Sequence, residues 1–495
     1  MALGNGFAQR ISRTPVVIYV FVALLCVYGL TSSNPGLTVS AALLFMLLFV
    51  LLWRPGEPPI LLLAFCFQWL QVVIKVLQAD VYDKPVATLS QFGGDIAAAM
   101  SLSMIALAVL VVGASLALPA YNRQKADASA AQAMSLSPRR LWYLYLVGLI
   151  GSVFVLFAGR AIPGFTQIAL AASNVKWAIF FVLAYVCFLR SKFLYLFVMA
   201  FLIEFALGVG SYFSDFKTVF FITILAYASA GKNFSVRQYL TIGVMAGVLV
   251  WMSLLWTAVK IEYRSYLSDG SEGQVVLRAY DERIAKLLDM VSGLDDEDID
   301  RAVRDLVSRI SYIDILARVT ESVPERIRHE NGELWGGALR HIFMPRLLFP
   351  DKPVLRSDTE ITQYYTGIII PGTTSATSIS MGYVADSYID FGVPYMYIPV
   401  FLLGVLWGLL YRYFIKSAGS AHLIGYALSV IVLFNAMFFE TGIVKLLGGV
   451  ITSYLVALVL LKIAHRIRIT TLLQQPGFAR QSGLQTFKLP NAGNA

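Results

Sequence analysis

Apolar residues run along this chain in blocks long enough to cross a bilayer, and one long polar stretch interrupts them. Crossing about 30 Å of hydrocarbon takes about 20 apolar residues in a helix. Such blocks fall at 15–31, 36–53, 60–78, 95–118, 141–158, 172–189, 193–209, 214–230 and 239–259. Residues 262–391 are polar and charge-rich, and apolar blocks return at 393–411, 422–439 and 443–461. The pattern predicts an all-α polytopic membrane protein of about 12 transmembrane helices. It divides into helices 1–9 (1–261), a mainly helical loop domain (262–391), helices 10–12 (392–463) and a disordered tail (464–495). No small-residue cleavage site precedes the Asn34-Pro35-Gly36 turn, so the first block reads as a retained helix and not a signal peptide.

Inside the polar stretch the period changes. Leu277, Tyr280, Ile284, Leu287, Leu288 and Val291 make one helical stripe that should stop at Gly293. Asp295 to Asp298 then suit a helix N-terminus, and Ile299, Val303, Leu306, Ile310, Ile313 and Ala317 continue at spacings of three and four. Two amphipathic helices lying across the membrane domain are expected. Arg301 and Arg304 sit among Asp300 and Asp305 as an ion-paired face, whereas Arg309 lies nearer the apolar stripe with no obvious partner. Further on, Pro345, Pro350 and Pro353 hold an extended, rigid segment carrying Arg346 and Lys352.

With 58% hydrophobic and 14% charged residues, a soluble globular domain is excluded. The formal charge of +9 does not point to nucleic acid, because residues 262–391 hold 14 Lys/Arg against 22 Asp/Glu. The positive excess lies on alternate connections, at Arg10, Arg13, Arg54, Arg123, Lys125, Arg139 and Arg140 among others. By the positive-inside rule both termini should be cytoplasmic and the loop domain outside. Cys26, Cys66 and Cys187 all fall in apolar blocks, so no disulfide is expected, and His329, His341, His422 and His465 lack metal-ligand spacing. Neither metal nor cofactor is predicted.

Ionisable groups in the apolar blocks are costly and mark candidate sites. Gln68, Gln71, Lys75 and Gln78 draw one polar stripe along the third block, suggesting a cavity open to the outside, unless Lys75 merely snorkels. Glu204 is paired, neutral or a base, and the turn after it leads to Lys217. Lys260 and Arg264 share a face above Trp256, as an interfacial anchor or an anion site. Glu440 and Lys445 cap the last outer hairpin. Asp386 and Asp390 share a helical face before the tenth block, either as functional carboxylates or as helix N-terminal residues.

The run "HIFMPRLLFPDKP", a Ser/Thr stretch "TTSATSIS", Gly382 and "YVADSYIDFGVP" resemble the Wzy-type polymerases of O-antigen and exopolysaccharide repeat units. The likeness is concentrated in residues 309–394. It implies an integral, metal-independent glycosyltransferase with a C-type membrane fold in the bacterial inner membrane. Such an enzyme transfers a glycan from an undecaprenyl-diphosphate-linked donor to the non-reducing end of a lipid-linked repeat unit at the periplasmic face. Arg346 and Lys352 would then bind the diphosphate, with Arg340 and His341 just upstream, and Arg264, Lys260, Lys217 and Lys75 are further candidate cations. The candidate bases are Glu204, Asp386, Asp390, Glu440 and His341. A chain-length regulator and a flippase of the same pathway are implied partners. An O-antigen ligase, a lipid-linked oligosaccharide flippase or a structural subunit of an export complex are the competing readings; transporters usually carry internal repeats, and none is evident here.

Overall fold

The computed structural model describes residues 9–162, 164–209, 215–231, 234–269, 276–344, 349, 351–352, 356–369 and 379–475, and its regular elements are helices. In chain order these are α1 (Val16–Thr31), α2 (Pro35–Leu52), α3 (Ile60–Val81), α4 (Ile96–Ala117), α5 (Arg123–Ser135), α6 (Pro138–Ala161) and α7 (Thr166–Ser173). Then follow α8 (Val175–Arg190), α9 (Leu194–Val209), α10 (Lys217–Ala230), α11 (Val236–Leu267), α12 (Tyr280–Ser292), α13 (Asp296–Ile310) and α14 (Ile313–Ser322). The last are α15 (Glu333–Phe343), α16 (Asp358–Thr366), α17 (Tyr383–Phe391), α18 (Tyr397–Ser417), α19 (His422–Leu433), α20 (Ile443–Arg466) and α21 (Ile469–Leu473).

Among the described residues eight helices are long and apolar enough to cross a membrane: α2, α3, α4, α6, α7 with α8, α11, α18 and α20. This is a helical polytopic membrane protein. Four shorter apolar helices, at Val16–Thr31, Leu194–Val209, Lys217–Ala230 and His422–Met437, coincide with the remaining apolar blocks.

Several boundaries differ from the pattern, each for a local reason. Helix α11 runs on to Leu267, past the expected edge of the loop domain at 262, because Tyr263 and Leu267 remain fully buried. The sixth block is broken at Asn174 between α7 and α8. The eleventh block leaves α-geometry after Leu433, passing through a 3₁₀ turn at Phe434–Met437. Helix α5 was not expected, since its Ala-rich sequence carries little periodicity; Asn122 starts it by accepting the Gln124 and Lys125 amides. In the loop domain α12 stops at Gly293 as expected, and Asp295 and Asp298 form a reciprocal capping box for α13. The second stripe, however, is two helices, with a break at Ser311–Tyr312.

The tightest helix pair is α4 against α18. A Cβ at Gly404 would lie 2.1 Å from the Leu110 carbonyl oxygen, and one at Gly113 only 2.4 Å from that of Phe401. In lipid, where apolar surface gains little by leaving its solvent, such backbone approach supplies the packing. The cap helices sit at one end of this bundle. Helix α13 packs on α11 and α3, and α15 packs on α20 and α17, so the C-terminal ends of α3 and α11 meet the cap.

Gly404→Leu should therefore lower thermal stability in detergent markedly, by about 1–3 kcal/mol or more, because backbone and not a flexible side chain must yield. Gly243→Ala in α11, where a Cβ meets nothing within 4 Å, should leave the melting temperature unchanged or slightly raised.

Candidate functional site

The polar stripe of α3 does not line a cavity. Gln68, Gln71 and Lys75 are 2–3% exposed and all are bonded to protein. Gln68 Nε2 donates to the Ala436 carbonyl at 2.7 Å, and its Oε1 accepts from Tyr383 at 2.8 Å. Gln71 Oε1 accepts the Phe439 amide at 2.9 Å while its Nε2 donates to Glu440. The two glutamines thus satisfy backbone freed where α19 unwinds. Lys75 pairs with Asp314 at 2.8 Å, both buried, and Asp314 also accepts the Gln91 amide at 3.1 Å. Lys75 is thereby a fixing point for the cap and not a surface cation.

The carboxylates of α17 are helix caps supplied from a distant part of the sequence. Asp386 Oδ2 accepts the Ile443 amide at 2.7 Å at the start of α20. Asp390 accepts the Leu334 and Trp335 amides at 3.0 and 2.9 Å at the start of α15. Both positions satisfy amides that a helix leaves unpaired in its first turn. Burial nevertheless pushes the Asp386 carboxyl up to about 7, against the opposing pull of the Ile443 amide and with Asp390 and Asp358 as like charges. Asp390 is also raised by burial.

Other expected site residues are drawn into pairs or lie elsewhere. Glu204 is buried, held by Lys176 at 2.5 Å and by the Tyr145 hydroxyl at 3.0 Å, so its charge is compensated within the bundle. Arg340 makes an exposed ion pair with Glu333 at 2.7 Å. Lys352 donates to the carbonyl of His341 at the C-terminal end of α15, where a helix favours a cation. Arg346 lies outside the described residues, as do Thr373 to Ser378 of the Ser/Thr stretch.

A different group of cations does converge. Arg309, in the last turn of α13, lies within electrostatic reach of Lys217 at the start of α10 and of Lys260 near the end of α11. Arg264 adds a further charge beside Lys260 and lies over the Trp256 ring, 6.0 Å from its centroid. Asp215 and Asp305 act on the edge of the group. Among the described residues no carboxylate comes within ion-pair distance of Lys217, Lys260 or Arg309. Like charges gathered this way repel one another, and an anion between them removes the cost.

Arg309 also faces Glu440 and Tyr312. Burial raises the Glu440 carboxyl, while the hydrogen bond from Gln71 and the Arg309 charge pull the other way. Burial, with the Glu440 charge next, keeps the Tyr312 phenol protonated. A carboxylate of raised basicity beside a cation cluster can take a proton close to a bound anion. Of the residues picked from sequence, the fold brings together Lys217, Lys260 and Arg264, and Arg309 links this group to Glu440. Arg309 was missed as a member, although its isolation on the flank of an amphipathic helix was the available signal.

The chain belongs to the family described as Domain of unknown function (DUF8712), which matches residues 67–474. No curated protein and no solved structure matches it.

Removing one member of the buried pair on α3 should be costly. Lys75→Met leaves Asp314 uncompensated and should destabilise by about 3–5 kcal/mol, whereas Lys75→Met with Asp314→Asn should recover part of the loss in thermal unfolding. Equal damage in both variants would refute the pairing account. Because Asp386 titrates higher in the folded chain than in the unfolded one, its contribution is fully present below the unfolded value and is lost as pH rises through about 7. Wild-type melting temperature should fall from pH 4 to pH 8 relative to Asp386→Asn, which keeps an acceptor for the Ile443 amide.

Proposed function

We propose that this protein is a membrane glycosyltransferase that uses a lipid-diphosphate-linked glycan as donor and extends a second lipid-linked repeat unit, as the resemblance to Wzy-type polymerases implies. The eight long helices and four short apolar ones supply twelve spans, with both termini on the cytoplasmic side and the cap helices in the periplasm. The observation that carries the reading is the packing of α13 on α11 at the capped end of the bundle, which sets Arg309 within electrostatic reach of Lys217 and Lys260 on one side and of Glu440 and Tyr312 on the other.

The chemistry follows from that arrangement. In glycosyl transfer the bond between the anomeric carbon and the phosphate oxygen breaks, and the lipid diphosphate leaves with the electron pair. Lys217, Lys260 and Arg309 stabilise the charge that develops on it, with Arg264 at the edge. The acceptor hydroxyl oxygen forms the new bond to the anomeric carbon and passes its proton to Glu440. Tyr312 lies within electrostatic reach of both Glu440 and Arg309 and adds a neutral hydroxyl there.

The unwound segment after Leu433 is a feature a transporter would share, since broken helices mark ion and substrate paths in such proteins. One assay separates the two. The protein in nanodiscs with undecaprenyl-diphosphate repeat units should yield a ladder of longer glycans and free undecaprenyl diphosphate; a flippase moves the lipid without lengthening the glycan. Lys217→Ala, Lys260→Ala and Arg309→Ala should each cut ladder formation roughly a hundredfold while expression and melting temperature hold. Arg301→Ala, at an exposed side chain that pairs with Asp298, should polymerise normally. Normal chain growth in all three cluster variants would overturn the site.

A further inference from the structure

A large cavity lies at the other end of the bundle from the cap. It encloses about 920 Å³ where α1, α2 and α11 meet the segment leading into α5. Its lining includes an aromatic group, Trp53, Phe234 and Tyr239, and a polar group, Arg13, Tyr121 and Arg123. The apolar wall is continuous: Trp53 meets Phe234 at 5.4 Å edge-on, and Phe234 meets Tyr239 at 5.3 Å. On the polar wall Arg13 is held over the Tyr121 ring, 4.4 Å from its centroid, and the Tyr121 hydroxyl donates to the Pro55 carbonyl at 2.9 Å.

Charge is unevenly compensated here. Arg54 is charge-compensated by Glu57 at 3.0 Å and donates to the Pro119 carbonyl at 2.9 Å, and Glu57 also accepts from Tyr411 at 2.9 Å. Arg10 donates to Ser115 and feels Arg54 and Arg13 as like charges. Among the described residues no carboxylate pairs with Arg13 or Arg123, though Asp127 stands at the same rim. One wall therefore asks for an anion and the other for hydrocarbon, at the level where apolar helices begin.

We propose that this cavity binds the headgroup and first acyl methylenes of an anionic phospholipid. The phosphate lies between Arg13 and Arg123, and the glycerol and upper chains lie against Trp53, Phe234 and Tyr239. A soluble phosphate would use the cations and leave the aromatic wall wet, whereas a lipid covers both. The exposed Val16 and Val17 at the cavity mouth continue the apolar path toward the bilayer. This site is independent of the cation cluster under the cap.

The test uses the full-length protein, delipidated in detergent. Phosphatidylglycerol should raise its melting temperature and be retained in native mass spectra, and phosphatidylcholine should do neither. Arg13→Gln with Arg123→Gln should bind phosphatidylglycerol roughly thirtyfold more weakly, two interfacial cations having been removed. Arg123→Gln alone, at an exposed side chain, serves if the double variant fails to fold, and should give part of that loss. Equal response to phosphatidylcholine, full retention by the variants, or a shift produced by inorganic phosphate alone would each overturn the proposal.

Discussion

The packing of the whole molecule depends on satisfying backbone groups that one helix gives up inside the bundle. After Leu433 the chain leaves α-geometry, and its carbonyls and amides would be stranded in an apolar interior. Gln68 and Gln71 of α3 take the Ala436 carbonyl and the Phe439 amide, and Asp386 of α17 takes the first amide of α20. Three elements far apart in sequence are joined at one point. Tyr383 closes the arrangement by donating to Gln68.

The same logic sorts the charges of this protein into two kinds. Lys75 with Asp314, Lys176 with Glu204, and Arg54 with Glu57 are each compensated within the packed structure. Pairs of this sort add little net stability, because desolvation offsets their attraction, but breaking one strands a charge. They fix where helices meet. Lys75 and Asp314 dock the cap on α3, and the break at Ser311–Tyr312 is what turns α14 to bring Asp314 there. Among the described residues, Lys217, Lys260 and Arg309 at one end of the bundle and Arg13 and Arg123 at the other lie outside such pairs.

Under the cap this leaves Glu440 in an unusual position. Its partner Gln71 belongs to the structural network at the unwound segment, while Arg309 belongs to the cation cluster. A carboxyl shared between a rigid hydrogen-bond donor and the cation Arg309 is held in place without being neutralised by a close pair. Asp386 and Asp390 lack this freedom, since each is committed to a helix terminus.

Much of this was legible along the chain. Block lengths of apolar residues determined a polytopic helical protein, because a span must cover a fixed thickness of hydrocarbon. The stop at Gly293 and the Asp295–Asp298 cap of α13 were also local, since they involve residues three apart. The partners of the polar stripe were not. The period of α3 showed that Gln68, Gln71 and Lys75 share a face, but whether that face meets water or protein depends on segments more than 200 residues away. Likewise the isolation of Arg309 on its helix did not say which groups it would join, as only the packing of α13 and α10 on α11 brings it to Lys260 and Lys217. Periodicity assigns a side chain to a face; what stands opposite that face is decided by the tertiary structure.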